Sequence, residues 1–410
     1  MCMMNRMTVY ENEQSKFNLA DLFFLLTLLW INAGFVRVIP YFNILVMFSI
    51  FVAGVLLSRF IYMNELRRSG FLYGVLFLMS IILSSLLIYH QIESESFEMI
   101  YGLMILFILC YLKRRPKKVC SLFVFILMID CIIINLRTFA LLTLHSELSR
   151  LLSQGSQSVY AAGFSATLLA GYGHIYASAF ALIYIASNID KIKRLTLYKK
   201  IVLIIYIITS IIVVIRAQFT FAIICMALGI ILAIVMRDGF NIRSFLLIIL
   251  CSIFGLMFLS FALDYLISTQ LLGFVVTSRL TEIQSLLNGN LGDGDLLTRL
   301  DLYFKTVRYL PKCIILGIFE SHANNFTSVL GMHTEWLDRL AMFGIIRYSI
   351  YLIFLIASIK YSFSNVEKQR CTVFIICFIV LGFVNTLVNQ NMYLLLYIII
   401  PFLFSEIREN

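Results

Sequence analysis

The chain has 410 residues, 61% of them hydrophobic and only 13% charged, with 4 prolines and a mean hydropathy of +0.96. No water-soluble core needs that much apolar surface, which excludes a soluble globular enzyme or binding module. The net charge of +10 does not mark a nucleic-acid binder, because the basic residues gather in alternate connections between apolar runs.

The apolar runs are about 17 to 22 residues long, enough to cross roughly 30 Å of hydrocarbon as helices whose backbone hydrogen bonds close internally. In chain order the predicted spans are Leu19–Val36, Tyr41–Ser58, Phe71–Tyr89, Met99–Leu112, Val119–Leu136, Phe164–Ala186, Ile201–Ile215, Phe219–Met236, Phe245–Ala262, Leu340–Ser358, Thr372–Val388 and Met392–Phe404. These about twelve spans define an all-α polytopic integral membrane protein, one transmembrane domain over residues 1–410. Only Asn389, Gln390 and Asn391 separate the last two. A single broken helix is the competing reading there, and it would move the C-terminus to the other side. The first run follows a polar stretch, Met1 to Asn18, lacks a small-residue cleavage site, and is read as a retained span. The 9 cysteines form no CxxC pair, so they are expected to act as small hydrophobes, with neither disulfides nor a metal cluster.

Lysine and arginine cluster around Arg59–Arg68, Lys113–Lys118, Lys191–Lys200, Arg237–Arg243 and Lys360–Arg370. The positive-inside rule makes these loops cytoplasmic, and KRRPKK within them reads as an orientation signal rather than a nuclear-localisation motif. Both termini are then cytoplasmic. The opposite, external connections are His90–Glu98, Arg137–Gly163, the turn Arg216–Gln218, and one large loop over 264–339. That loop carries six basic residues against eight acidic ones, a balance unlike a cytoplasmic loop. In the smaller loop 137–163, Leu141, Leu144, Leu148, Leu151 and Leu152 form an apolar stripe that predicts a helix lying on the outer membrane surface.

Charge at the outer boundary needs a partner or a function, because burying it alone is expensive. Arg216 ends its span with almost no loop, at headgroup depth, as an interface anchor or an anion ligand. Arg299 opens RLDLYF, where Leu300, Tyr303 and Phe304 recur at helical spacing, and Arg279 in TSRLTEI is a similar candidate. Either arginine has an ion-pair reading as well, with Asp301 or Glu282. His333 precedes Thr334, a capping residue for a helix whose first turn bears Glu335 and Trp336. It reads as a general base or anion donor at the mouth, or as a plain loop histidine. His322 and Asn324 share this loop. The D-x-D of Asp293 and Asp295 is what any turn contains and lacks the further oxygen ligands a cation needs. Asn325-Phe326-Thr327 matches a glycosylation sequon by composition alone. Within the spans, Asp130 and His174 are expected to share a cavity or face each other, and Gly173 with Ala177 forms a small-xxx-small packing pair.

Arg299, an aromatic-bearing helix, the Pro and Gly segment of Leu310-Pro311 and Leu316-Gly317, and His333 leading into HTEWLDRLAMFG follow one another in this loop. With an arginine at the outer end of a middle span, Arg216, this set resembles the Wzy-type O-antigen polymerases and the related O-antigen ligases. The resemblance spans the whole chain in architecture and short segments in sequence. Phe319 stands near the place of the turn's second glycine, and Thr334 follows the histidine where ligases show asparagine. Both departures lean towards polymerase.

The resemblance implies a GT-C-like helical fold in a bacterial inner membrane, with the active site on the periplasmic side. It implies an inverting glycosyltransferase without metal or other cofactor. Donor and acceptor would be oligosaccharide repeat units on undecaprenyl pyrophosphate, with membrane lipid around them and a chain-length regulator protein as a further partner. His333 and Arg299 would be catalytic, Arg216, Arg299 and Arg279 would hold pyrophosphate, and Glu335, His322 and Asn324 would be accessory. The alternatives are an O-antigen ligase acting on a lipid A core sugar and a lipid-linked oligosaccharide flippase or transporter. An ion-coupled transporter would instead depend on Asp130 and His174.

Overall fold

The computed structural model describes residues 17–32, 35–39, 41–58, 63–89, 94–145, 148, 168–237, 263–269, 274–287, 295–318, 330 and 334–407, and among them every regular element is helical. Helix α1 (Leu19–Ile31) begins where Asn18 accepts from the Asp21 amide at 2.9 Å while its own amide donates to Asp21 Oδ2 at 2.8 Å. This reciprocal box satisfies two donors that no helical turn can serve. Asn43 caps α2 (Ile44–Leu57) by accepting from two first-turn amides. Then follow α3 (Met63–Arg68), α4 (Phe71–Tyr89), α5 (Ser94–Leu112) and α6 (Lys117–Leu144).

Helix α6 runs past its expected end at Leu136 because no glycine or proline interrupts Arg137 to Leu144. Leu141 and Leu144 therefore belong to its last turns rather than to a separate surface helix; Leu148 is buried, and Leu151 and Leu152 lie outside the described residues. Helix α7 (Tyr172–Ser187) starts later than expected. Leu168 takes a positive φ of 57°, and the Ala170 amide donates to Thr138 Oγ1 at 2.8 Å instead of entering a helix. After α8 (Ile189–Ile192) come α9 (Leu197–Arg216), α10 (Thr220–Val235), α11 (Phe274–Leu287), α12 (Asp295–Cys313), α13 (Trp336–Ser362), α14 (Lys368–Leu381) and α15 (Gln390–Phe402). The expected span over 245–262 lies outside the described residues.

Lys117–Leu144, Leu197–Arg216 and Trp336–Asn365 are long and apolar enough to cross a membrane, and several shorter apolar helices accompany them. Leu45, Leu56, Leu76, Ile356 and Val380 are each more than half exposed on the periphery, a surface matched to hydrocarbon rather than water. The centre is α15. Every residue from Met392 to Ile400 is buried, as a helix with no polar face requires. Its middle widens into a π stretch, Leu395–Ile399, just ahead of Pro401, which has no N–H to donate to a carbonyl one turn back. The Leu396 carbonyl accepts from Ser362 Oγ at 2.5 Å.

Helix α14 ends at Leu381, earlier than the expected Val388, because the carbonyls of Gly382 and Asn385 turn to accept the Glu335 amide at 2.8 and 3.2 Å. The chain then re-enters as a second helix, with Asn389 capping α15. Arg370 at the start of α14 bonds Asp190 just after the end of α7, at 2.5 Å, whereas Asn389 sits against Gly173 at the start of α7. So α14 runs against α7 and α15 runs with it. The last two runs form a hairpin, not one broken helix.

The basic loops meet on one face. Arg115 pairs with Asp21 at 2.6 Å, Arg114 with Glu65 at 2.8 Å, Lys191 with Glu367 at 2.8 Å, and Lys199 with Glu406. Lys113 donates to Ser364 at 2.7 Å and to the Tyr361 carbonyl. The Arg114 guanidinium beside Glu65 holds that carboxyl below its ordinary range, and Arg370 does the same for Asp190. Burial pulls the Lys113 ammonium down to about 8. Asp21 near the beginning of the described chain and Glu406 near its end thus lie on the same side.

Candidate functional site

On the opposite face the glycine segment that follows α12 meets a glycine inside α13. After α12 the Gly317 amide closes on the Cys313 carbonyl at 2.7 Å, and Gly317 turns with φ 82°. Helix α13 breaks at Gly344 (φ 65°, ψ 167°). Across this break the Ile318 amide donates to the Ala341 carbonyl at 2.9 Å and the Ile345 amide to the Ile314 carbonyl at 2.7 Å. A Cβ on Gly317 would strike the Met342 carbonyl, and one on Gly344 would strike the Gly317 amide. Only glycine permits both the left-handed turn and this approach of backbone to backbone. Arg347 ties the joint to the bundle, donating to the carbonyls of Leu316 (2.7 Å) and Phe343 (3.0 Å) and to Ser84 Oγ on α4 (3.1 Å). Helix α12 also includes Pro311 in its last turn, where the sequence led us to place a proline after the helix. A proline so near the C-terminus removes one intrahelical donor without having to carry the helix onward.

A second tie joins α12 to the start of α13. The cap position is Glu335, whose side chain makes no cap bond, rather than the expected Thr334; Thr334 Oγ1 instead accepts from the Asp338 amide at 3.0 Å, and its own amide and hydroxyl donate back to Asp338 Oδ2 at 2.6 and 2.9 Å. The other carboxylate oxygen of Asp338 accepts from Thr306 Oγ1 on α12 at 2.7 Å. Arg299 lies on α12 two turns before Thr306 in helical register.

Next to Thr334, Glu335 is fully buried and both its oxygens are engaged. Oε1 meets Arg339 Nε and accepts from Tyr351 Oη at 3.0 Å, and Oε2 accepts from the Leu387 and Val388 amides at 2.9 and 3.1 Å. Arg339 lies with its guanidinium carbon 5.2 Å above the Tyr351 ring, donates to the Val388 carbonyl at 3.0 Å, and has Glu98 at 3.9 Å. A buried ion pair repays its desolvation only when its hydrogen bonds are filled in this way. Glu335 is thus a positioning residue that fastens α13 to the 382–389 turn.

That turn reaches α7 through Tyr172, whose hydroxyl donates to Asn385 Oδ1 at 2.9 Å. Asn385 Nδ2 is a buried donor with no acceptor among the described residues. The Tyr172 ring lies 5.6 Å from Phe219, in the turn that follows Arg216. Arg216 is exposed at the last residue of α9, where a cation suits the helix dipole, and it lies 6.0 Å from the Phe139 ring. The Arg216 turn, the Glu335 cluster and the end of α12 therefore stand on one face, away from the basic loops.

Position 279 lies on α11 and position 299 on α12. His333, His322 and Asn324, the Asp293 end of the D-x-D, and the sequon lie outside the described residues. Asp130 and His174 do not form a shared pair, because each has its own amide. Asn32 Nδ2 donates to Asp130 at 2.8 Å, and His174 Nε2 lies 3.0 Å from Asn135 Oδ1. Sequence reasoning passed over Arg339, Asp338 and Arg347. The four-residue spacings Thr334 to Asp338 and Glu335 to Arg339 were the available signal, since such positions are neighbours at a helix start.

Together these features define a helical protein with helices built to cross a membrane and a polar, cross-braced mouth on the face opposite its basic loops. No family model matches this chain, and no curated protein matches it.

Proposed function

We propose that this protein is a Wzy-type glycan polymerase of the bacterial inner membrane, with some twelve spans in a GT-C-like arrangement and a periplasmic loop over 264–339 that carries the site. The observation that carries the reading is the glycine joint. The Pro–Gly segment after the Arg299 helix packs directly on Gly344, which ends the apolar stretch following His333. Segments that the family resemblance links only by order along the chain are here one structural unit. The grouping of the basic loops on the other face supports cytoplasmic termini and a periplasmic mouth.

In this reading the acceptor sugar hydroxyl attacks the anomeric carbon of a chain held on undecaprenyl pyrophosphate. The new C–O bond forms as the bond to the pyrophosphate breaks, with inversion. His333 takes the hydroxyl proton. Arg216 and Arg299 hold the departing pyrophosphate through paired N–H donors, stabilising charge that builds only as the bond breaks. Arg279 is the second candidate for that contact. The Thr306–Asp338 bond and the glycine joint fix α12 against α13, so that the arginine helix and the start of α13 keep their relative placement.

The test is the surface-glycan profile of cells carrying Arg299→Ala, Arg299→Lys or His333→Ala in place of the wild-type chain, with protein amounts followed by immunoblot. Each variant is expected to lose the polymer ladder, by about 100-fold or more, at unchanged protein level, and to retain a single capped repeat unit. Full-length polymer in both Arg299→Ala and His333→Ala would refute these assignments.

A further inference from the structure

Between α13 and α14 runs a groove of about 910 Å³. Its floor and walls are apolar, formed by residues such as Leu352, Leu355, Ile356, Ile375 and Ile379. At the mouth end it is closed by Trp336, whose indole N–H donates to the Ile379 carbonyl at 2.8 Å and whose ring lies 5.8 Å from Phe378. At the other end, on the basic face, its lining includes the exposed Lys360 and Lys368, with Ser364 beside them.

The charges at that open end decide what fits. Glu367 is the carboxylate nearest in sequence, but it is turned to Lys191 and Arg370, and Asp190 is taken by Arg370 as well. Lys113, the next cation, donates to Ser364 and to the Tyr361 carbonyl. Lys360 and Lys368 are exposed and have no carboxylate partner among the described residues. Lys368 also starts α14, whose first amides receive no side-chain cap, and such amides attract an anion. An apolar channel that ends in two uncompensated cations and a helix N-terminus matches a molecule with long hydrocarbon chains and an anionic head.

We infer that this groove holds an anionic diacyl phospholipid from the basic-face leaflet, with its phosphate between Lys360 and Lys368 and an acyl chain along Leu352, Ile356 and Ile375. The polarity of the groove separates this ligand from a polyprenyl pyrophosphate bound at the opposite mouth. There the described lining is apolar, with Trp336, Leu337, Leu340 and Phe383, and offers no cation for a pyrophosphate. The inference does not depend on the proposed transfer chemistry.

Native mass spectrometry of the detergent-purified full chain tests it. The wild type is incubated with palmitoyl-oleoyl phosphatidylglycerol, with the matching phosphatidylcholine, or with undecaprenyl phosphate, and compared with K360Q, K360Q/K368Q and I356W. The lysines and Ile356 are exposed, so these variants keep the fold. The expected result is preferential retention of phosphatidylglycerol, falling about fivefold for each lysine removed, the equivalent of about 1 kcal/mol per basic residue at an anionic lipid surface. I356W, which fills the groove but keeps the charges, is expected to lose retention as well. Equal retention of the two phospholipids, retention insensitive to the lysines, retention that survives I356W, or preference for undecaprenyl phosphate would each overturn the inference.

Discussion

Glu335 and Arg339 show how a charge is kept inside an apolar bundle. Four protein donors converge on one carboxylate, and one of them is a guanidinium lying over an aromatic ring. Glu335→Gln leaves the largely buried Arg339 charge with only the more distant Glu98 carboxylate, 3.9 Å away and half exposed, and it points an amide N–H at other donors. The expected cost is roughly 3–5 kcal/mol, the usual result of removing one member of a buried pair, read as a lower thermal midpoint in detergent. Adding Arg339→Met should recover part of that loss, since the two residues act as a unit. A Glu335→Gln protein as stable as wild type would mean that the pair does not hold α13 to the 382–389 turn. Glu335 was visible in the sequence as an acidic first-turn residue. Its burial was not, because that depends on the 382–389 turn folding back over it from a distant part of the chain.

At the scale of elements, the joint between the 314–318 segment and the break in α13 is the most demanding piece of backbone described. Gly344→Ala would place a Cβ against backbone atoms of Ile315, Leu316 and Gly317, on a residue already at positive φ. The backbone conformation alone costs about 1–3 kcal/mol, and the contact cannot be relieved by turning a side chain. Gly171→Ala is the control: nothing lies within 4 Å of its added Cβ, and the loss of a glycine cap costs about 1 kcal/mol or less. Thermal unfolding should therefore separate the two variants clearly, and equal midpoints would remove the joint from the argument.

Some helix boundaries were legible in the sequence. Asn18 stands immediately before α1, and α4 matches its predicted limits from Phe71 to Tyr89. Others were not, such as the start of α7 at Tyr172 rather than Phe164. The stop of α14 at Leu381 depends on the Glu335 amide, and the run of α6 to Leu144 depends on the absence of any breaker. A glycine in an apolar run, such as Gly344, looks like any small residue until the backbone packed against it is known.

For the whole molecule, the charge pattern was the most informative signal, because alternation of basic loops is a property of the full chain and survives errors in individual boundaries. The ion pairs of the basic face gather those loops on one side and leave the Arg216 turn, the Glu335 cluster and the glycine joint on the other. The proposed function was less legible, since an arginine at 299 and a histidine at 333 are ordinary residue types for such a segment until the order of motifs around them is considered. The most direct measurement is a gel profile of surface glycan from cells deleted for this protein, with and without a wild-type copy. A polymerase predicts a single capped repeat unit in its absence and a restored ladder with the copy. Loss of every repeat unit from the surface, the single one included, would contradict polymerisation and point to ligation or transport.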